Sequence, residues 1–333
     1  MITIYDIARR ASVSVATVSR VLNNDPSVLP ENRRLVLQAI EELGYVPNAT
    51  ARSLSNCRSH TIGLVVPDLS NAIAQQTVDG VTKVVSDRGY SLLLCDSRRD
   101  ERIQAENLRR LFERRVEGLI FSPLGQSCLE LDLFLRAKVP TLVVSSHELS
   151  ADVPRIYLKR STGVRMGIKY LSGLGHRRIA LVGPGTPPYS PLDEGYCQTL
   201  HDLGLPCDSS LLAESASPEE CAGALESMLG RPDRPTAVIC GAHGFAPFLL
   251  MAIHAAGLSL PEDLSFLTIG DSPWTRAQQP PLSVLAYDHT SLGAKAAEYL
   301  FTHVMHQLVG GPPSEVGFEL IVRGSCAPAR TTG

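Results

Sequence analysis

From residue 61 onward, short apolar runs alternate with helical stretches, and the alternation starts twice. IGLVV at 62–66, SLLLC at 91–95, GLIF at 118–121 and TLVV at 141–144 are of strand length, with helical stretches near 73–88, 101–115 and 127–137 between them. A second series opens with RIALV at 178–182. It runs through helices near 192–203 and 218–229, AVIC at 237–240, a helix at 245–256, SFLTI at 265–269 and a long helix near 291–308. Continuously apolar runs this short suit strands buried on both faces, and a helix between consecutive strands forces them parallel. The expected body is therefore two doubly wound parallel sheets in two lobes, with a small-ligand cleft between the strand ends.

The first residues follow a different pattern. In TIYDIARRASVSVATVSRVLNN at 3–24, Ile4, Ile7, Ala8 and Ala11 recur at helical spacing, and Thr3 with Asp6 has the form of a capping box. After a three-residue turn, Ser14 can cap a second helix that turns Val18, Val21 and Leu22 inward and Val15, Ala16, Thr17, Ser19 and Arg20 outward. Pro30 at a first helical position opens a third helix over 31–43, closed by Gly44, and Asn48 caps a short run over 49–55. Twenty such residues alone could be an ordinary helical hairpin. With the third helix and the capped run behind them, they read as a helix-turn-helix whose second helix meets base edges.

A chain of 333 residues with 44% hydrophobic and 20% charged residues is long enough for several domains and ordinary for a soluble protein. Its apolar runs are too short to span a membrane, and the N-terminus begins directly on the capping box without a signal-peptide pattern, so a cytoplasmic protein is expected. Cysteines at 57, 95, 128, 197, 207, 221, 240 and 326 show no C-x-x-C or metal-like spacing and are expected as buried or free thiols, with no metal and no cofactor. In the first sixty residues, seven Arg against five acids give +2, which leaves −5 of the total −3 for the rest and suits a small DNA-contacting head on an acidic body. His147, His176, His243 and His289 are isolated in sequence. Neither G-x-S-x-G, a P-loop nor G-x-G-x-x-G occurs, so catalysis is not expected.

The segments IYDIA at 4–8, VSVATVSRV at 13–21, LGYVPN at 43–48 and ARSL at 51–54 resemble the DNA-binding head and hinge of the LacI/GalR repressor family. PDLSN at 67–71, LGHRRIA at 174–180, DSPW at 271–274, PPLS at 280–283 and ELIVR at 319–323 extend the resemblance to its body, a lobe pair similar to periplasmic sugar-binding proteins. The resemblance implies a head at 1–47, a hinge helix and linker at 48–59, a first lobe at 60–160 plus about 289–317, and a second at 161–288 plus about 318–328. It also implies a homodimer, since no heptad tail follows the body, and a repressor on a pseudo-palindromic operator.

By resemblance, Val15, Ala16 and Arg20 read bases, Thr3, Tyr5, Ser14, Thr17, Ser19 and Asn23 contact phosphates, and Asn48, Ala51 and Leu54 belong to a hinge helix in the minor groove. Leu54 is the wedge at a central CG step. Ser12 replaces a turn glycine of the family and Leu29 a Ser cap before Pro30.

The effector cleft departs from the family further. Leu192 stands where sugar-responsive members carry an arginine, Ala242-His243 replaces Asn-Asp, and Gly270 falls at the first Asp of a Gly-Phe-Asp-Asp segment, with Asp271 kept at the second. Ile73 occupies the place of an aromatic platform, and Lys159-Arg160 that of Asp-Asn. A site built to hydrogen-bond hydroxyls binds poorly without those groups, so a simple free sugar is not the expected effector. Ser145, Ser146, His147, Ser190 and His243 are candidate replacement groups, and a degenerate cleft, with control by abundance or a protein partner, is the alternative. A transport-type binding protein would need a signal peptide and no DNA head.

Overall fold

The structure is a computed structural model that describes residues 2–22, 25–45, 59–70, 72–125, 128–145, 152–157, 159–185, 193–306 and 317–330. Two compact units emerge, Met1–Ser59 and His60–Gly333.

In the first unit, helices α1 (Ile4–Arg10), α2 (Val15–Leu22) and α3 (Pro30–Leu43) enclose a small core. α1 starts as its sequence predicts: the Thr3 backbone N–H and hydroxyl both donate to the Asp6 carboxylate, at 2.9 and 2.7 Å. α2 is capped by Ser14, whose hydroxyl oxygen accepts from the Thr17 N–H at 3.1 Å. Helices this short are not stable alone. They hold because Ile7, Ala8, Val18, Val21, Val36 and Ala39 are buried against one another, each larger side chain contributing about 1.5–3 kcal/mol. Arg10 ion-pairs with Glu42, joining α1 to α3.

Two local costs sit in this unit. Ser12 adopts φ +54°, the left-handed region that favours glycine. Leu29, at the N-cap of α3, makes no side-chain capping bond and leaves 67% of its side chain exposed.

The second unit holds two sheets. The first runs β2 (Ser91–Asp96), β1 (Thr61–Val66), β3 (Gly118–Phe121), β4 (Thr141–Ser145) and β5 (Arg155–Tyr157), all parallel. Ile62, Leu64 and Val66 face Val81 and Val85 of α4 (Ala72–Asp87), while Val65 faces the opposite layer with Leu108 and Leu111 of α5 (Glu101–Glu113) and Phe134 of α6 (Leu131–Arg136). Layers on both faces explain why β1, β3 and β4 read as unbroken apolar runs, while the edge strand β2 leaves Leu93 and Leu94 exposed.

The second sheet runs β11 (Glu319–Ile321), β10 (Ser283–Ala286), β9 (Ser265–Ile269), β8 (Ala237–Cys240), β6 (Ile179–Gly183) and β7 (Leu212–Glu214). It is parallel except for the edge strand β11, which pairs antiparallel with β10. α7 (Arg160–Gly173) and α8 (Asp193–Asp202) belong to one apolar layer, and α9 (Pro218–Leu229) and α10 (Ala246–Ala255) to the other. His176 pins the base of this sheet: its ring nitrogens bond Thr236 Oγ1 at 2.9 Å, and Ser265 Oγ and the Ala327 carbonyl at 3.0 Å.

After β10 the chain returns to the first sheet. α12 (His289–Tyr299), extended by a wider turn over Leu300–Val304, contributes Leu292, Ala296, Leu300 and Phe301 to the same cluster as Ile62, Ile120 and Leu142. It lies so close to α4 that a Cβ on Gly80 would fall 2.0 Å from the Thr290 carbonyl oxygen, and one on Gly293 2.1 Å from that of Thr77. Glycine at both positions is what lets the two backbones meet. β11 then completes the second sheet, so the chain passes between the sheets after β5, after β10 and before β11.

The thiol expectation needs one correction: Cys197 and Cys207 form a disulfide, with Cα atoms 5.3 Å apart. Cys95, Cys128, Cys221, Cys240 and Cys326 are free.

The head is expected to gain stability from two single changes. Ser12→Gly should add about 0.5–1 kcal/mol by relieving the left-handed serine, and Leu29→Ser about 1 kcal/mol by capping α3. Thermal unfolding of the head checks both; a loss from Ser12→Gly, or a gain from Leu29→Ala equal to that from Leu29→Ser, would contradict the assignment.

Candidate nucleic-acid interface and interlobe cleft

The outward face of α2 is where the sequence places it. Ala16 and Arg20 are exposed, Thr17 and Ser19 are partly exposed, and Val18 and Val21 are buried beneath them. Val15 is divided: it packs partly on the head core, so only part of its side chain faces outward. Thr3, Tyr5 and Ser14 are exposed nearby in sequence, Tyr5 at 66%. Arg20 forms no ion pair with a described residue, and its charge helps to hold the Asp25 carboxyl below its usual range, after the stronger effect of hydrogen bonds from Ser27. The Ser14 and Thr17 hydroxyls lie 2.8 Å apart at the helix N-terminus. A free guanidinium and hydroxyls around a helix start are the donors that guanine edges and phosphate oxygens accept from. Asn23, Asn48, Ala51 and Leu54 lie outside the described residues, as do Ser146, His147, Ser190 and Leu192 in the body.

Between the sheets, the first lobe meets the second at Gly270. This residue has φ +102°, and a Cβ there would fall 2.2 Å from Ile73 Cδ1 and 3.0 Å from His243 Cβ. The glycine that stands in an aspartate's place thus has a steric and conformational reason. Gln76 Nε2 donates across the lobes to the Asp271 carbonyl at 3.4 Å, and the Arg99 guanidinium sits 5.4 Å from the centre of the Phe245 ring.

Asp271, expected near the cleft as the second Asp of its segment, is bound by side chains of its own lobe. Arg323 reaches it with two bonds at 3.0 and 2.9 Å, Arg276 with two at 3.1 and 2.8 Å, and the Thr275 hydroxyl at 2.7 Å. Burial works against the carboxylate, but these bonds and the Arg323 charge prevail and bring its pKa down to about 2. It braces the end of β9 against the C-terminal segment.

His243 is likewise held within its lobe, 7% exposed, with Nε2 2.8 Å from Ser272 Oγ and its ring edge-on to Trp274. Ala242 caps the short turn His243–Phe245 and packs on the second-lobe core. Ser145 is buried at the end of β4.

Other residues dominate the crossovers. Arg160 is the first residue of α7, directly beyond the first passage from β5. Tyr287 and His289 flank the return passage, their ring centres 3.6 Å apart, and Phe318 near the last passage packs edge-on to Tyr287 at 5.1 Å. His289 is 3% exposed and its Nε2 has no hydrogen-bond partner. Isolated in sequence, it gave no signal, because only the fold buries it against Tyr287. Among the described residues no cluster of His, Cys, Asp and Glu is placed to hold a metal.

Burial, then the Arg160 and His243 charges, push the His289 pKa down to about 3, and burial also lowers His176 and His243. In the unfolded chain each would take a proton near pH 6.5. Below that pH the unfolded state binds more protons than the folded one, so stability is full above about 6.5 and is lost as pH falls toward the folded values. Between pH 7.5 and 5.5, His289 alone should cost about 1.4 kcal/mol. Urea unfolding at the two pH values checks this: His289→Gln should show a smaller drop than the unmodified chain, and an unchanged drop would remove His289 from the account.

Residues 3–48 match the bacterial regulatory proteins of the lacI family, and residues 168–326 match a periplasmic binding protein-like domain. The ribose operon repressor of Haemophilus influenzae is 31% identical over 332 residues, covering 98% of this chain and 97% of the relative. Catabolite control protein A of Priestia megaterium is 29% identical over 312 residues, covering 92% and 94%. The crystal structure of the lac repressor dimer bound to operator and the anti-inducer ONPF matches with a TM-score of 0.82 at 26% identity, covering 98% of this chain and 99% of that one. A helix-turn-helix head with an exposed α2 face, a two-sheet body crossed three times and full-length relatives of this kind give one conclusion: the chain belongs to the LacI family of bacterial transcriptional regulators.

Proposed function

We propose that this protein is a dimeric, sequence-specific DNA-binding repressor of the cytoplasm, modulated by a small molecule between its lobes. The observation that carries the reading is the exposed Ala16–Arg20 face of α2 on a self-sufficient head, supported by relatives named as transcriptional repressors. Arg20 pairs with guanine O6 and N7, Ala16 and the exposed part of Val15 meet a thymine methyl, and Thr3, Tyr5, Ser14, Thr17, Ser19 and Asn23 grip phosphates. The hinge run with Asn48 and Ala51 enters the minor groove, and Leu54 wedges the central CG step.

The domains divide as head, hinge, first lobe with the returning α12, and second lobe with β11. Twofold symmetry places two α2 helices in successive major grooves, so the operator is a pseudo-palindrome. Leu93 and Leu94 on the edge strand β2 and Met251 on α10 are exposed apolar side chains of the body, which a second copy would cover. The protein acts by binding, with no chemistry of its own.

Fluorescence anisotropy with an operator duplex and a scrambled duplex tests this reading. Arg20→Ala should weaken operator binding by about 1–3 kcal/mol and scarcely alter scrambled binding. Leu54→Ala should likewise lower operator affinity selectively. Equal losses on both duplexes would reduce these residues to general DNA contacts.

A further inference from the structure

We infer that the interlobe cleft receives an anionic small molecule, one carrying a phosphoryl or carboxylate group, with Arg160 as the residue that takes the anion. The inference rests on the effector reading above and narrows it to a ligand class.

Three observations converge on it. First, Arg160 is a partly buried cation with no hydrogen bond or ion pair to a described residue. Burial disfavours its charge, the Tyr287 hydroxyl favours it, and the neighbouring Arg99 charge again opposes it. Arg99 itself is neutralised by Asp68 at 3.1 Å, so the unbalanced charge belongs to Arg160. Second, His289 is 97% buried at the return crossover, its ring lies 3.6 Å from that of Tyr287, and its Nε2 keeps no hydrogen-bond partner among the described residues. A buried ring nitrogen without a partner is costly and rare, and a ligand atom is one way to satisfy it. Third, the acidic group kept near the cleft, Asp271, is saturated by Arg323, Arg276 and Thr275.

Among the described residues the cleft therefore offers a cation without an ionic partner, and its acid Asp271 has no oxygen left to accept from neutral hydroxyls. A guanidinium fork matches the paired oxygens of a phosphate or carboxylate, and the N-terminus of the 14-residue helix α7, where Arg160 sits, favours negative charge. Arg160 lies on one crossover while Tyr287 and His289 lie on the next. An anion bound between them would thus touch both segments that set the lobe angle.

Thermal unfolding of the full chain with matched ligands tests the inference: ribose 5-phosphate against ribose, glucose 6-phosphate and gluconate against glucose, and inorganic phosphate alone. At least one anionic compound should raise the midpoint by about 3 °C or more at saturation, its neutral parent should not, and Arg160→Gln should abolish the shift. Without ligand, Arg160→Gln should hold or raise the midpoint, because it removes a partly buried charge that no described residue pairs. The inference is overturned if no anionic compound shifts the midpoint, if a neutral parent shifts it equally, if the shift survives Arg160→Gln, or if that variant alone lowers the midpoint by several degrees. Operator binding of the ligand-free protein distinguishes the two levels. Its absence would refute the regulatory reading, whereas its presence beside a response to neutral sugars alone would refute only the anionic class.

Discussion

The body depends on the close pairing of α4 with α12. Thr290 and Thr77 present carbonyl oxygens where any side chain at Gly80 or Gly293 would collide, so the two helices meet backbone to backbone. That pairing returns the chain to the first sheet after β10. Without it, Leu292, Ala296, Leu300 and Phe301 would leave the layer over Ile62, Ile120 and Leu142 open to water. It also fixes the crossover that carries Tyr287 and His289, and so the geometry of the cleft follows from a packing constraint two turns away.

Electrostatics then divide the cleft residues into two groups. Asp271 and its two arginines form a closed network that holds β9, α11 (Pro273–Ala277) and the C-terminal segment together, with Thr275 adding a further bond. Such a network is expensive to disturb, and it leaves the Asp271 carboxylate no oxygen free to accept from a ligand. His289, whose buried Nε2 has no hydrogen-bond partner among the described residues, and Arg160, which no described residue pairs, are the opposite case.

Much of this was legible in the sequence where local rules decide. The capping pairs Thr3–Asp6 and Ser14–Thr17 and the apolar runs of β1, β3, β6, β8 and β9 read directly, as did the two costs at Ser12 and Leu29. Strands β5, β7 and β10 gave little signal because they are short and include or adjoin polar residues such as Arg155, Glu214 and Ser283, so no continuous apolar run marks them. The antiparallel edge β11 leaves the second sheet short of fully parallel, which an alternation pattern cannot foresee. The Cys197–Cys207 bond needed the fold, since ten residues of separation say nothing about proximity. The same holds for Asp271, whose strongest partner Arg323 is 52 residues away, and for His289, whose burial against Tyr287 an isolated histidine does not announce.

The central claim is that the head reads a symmetric DNA sequence. Selection of bound duplexes from a random library by the full-length protein, followed by sequencing, addresses it most directly. The account predicts enrichment of one pseudo-palindrome with a guanine in each half-site and a CG step at its centre. Failure to enrich any sequence over the input, or enrichment of a site without twofold symmetry, would contradict it.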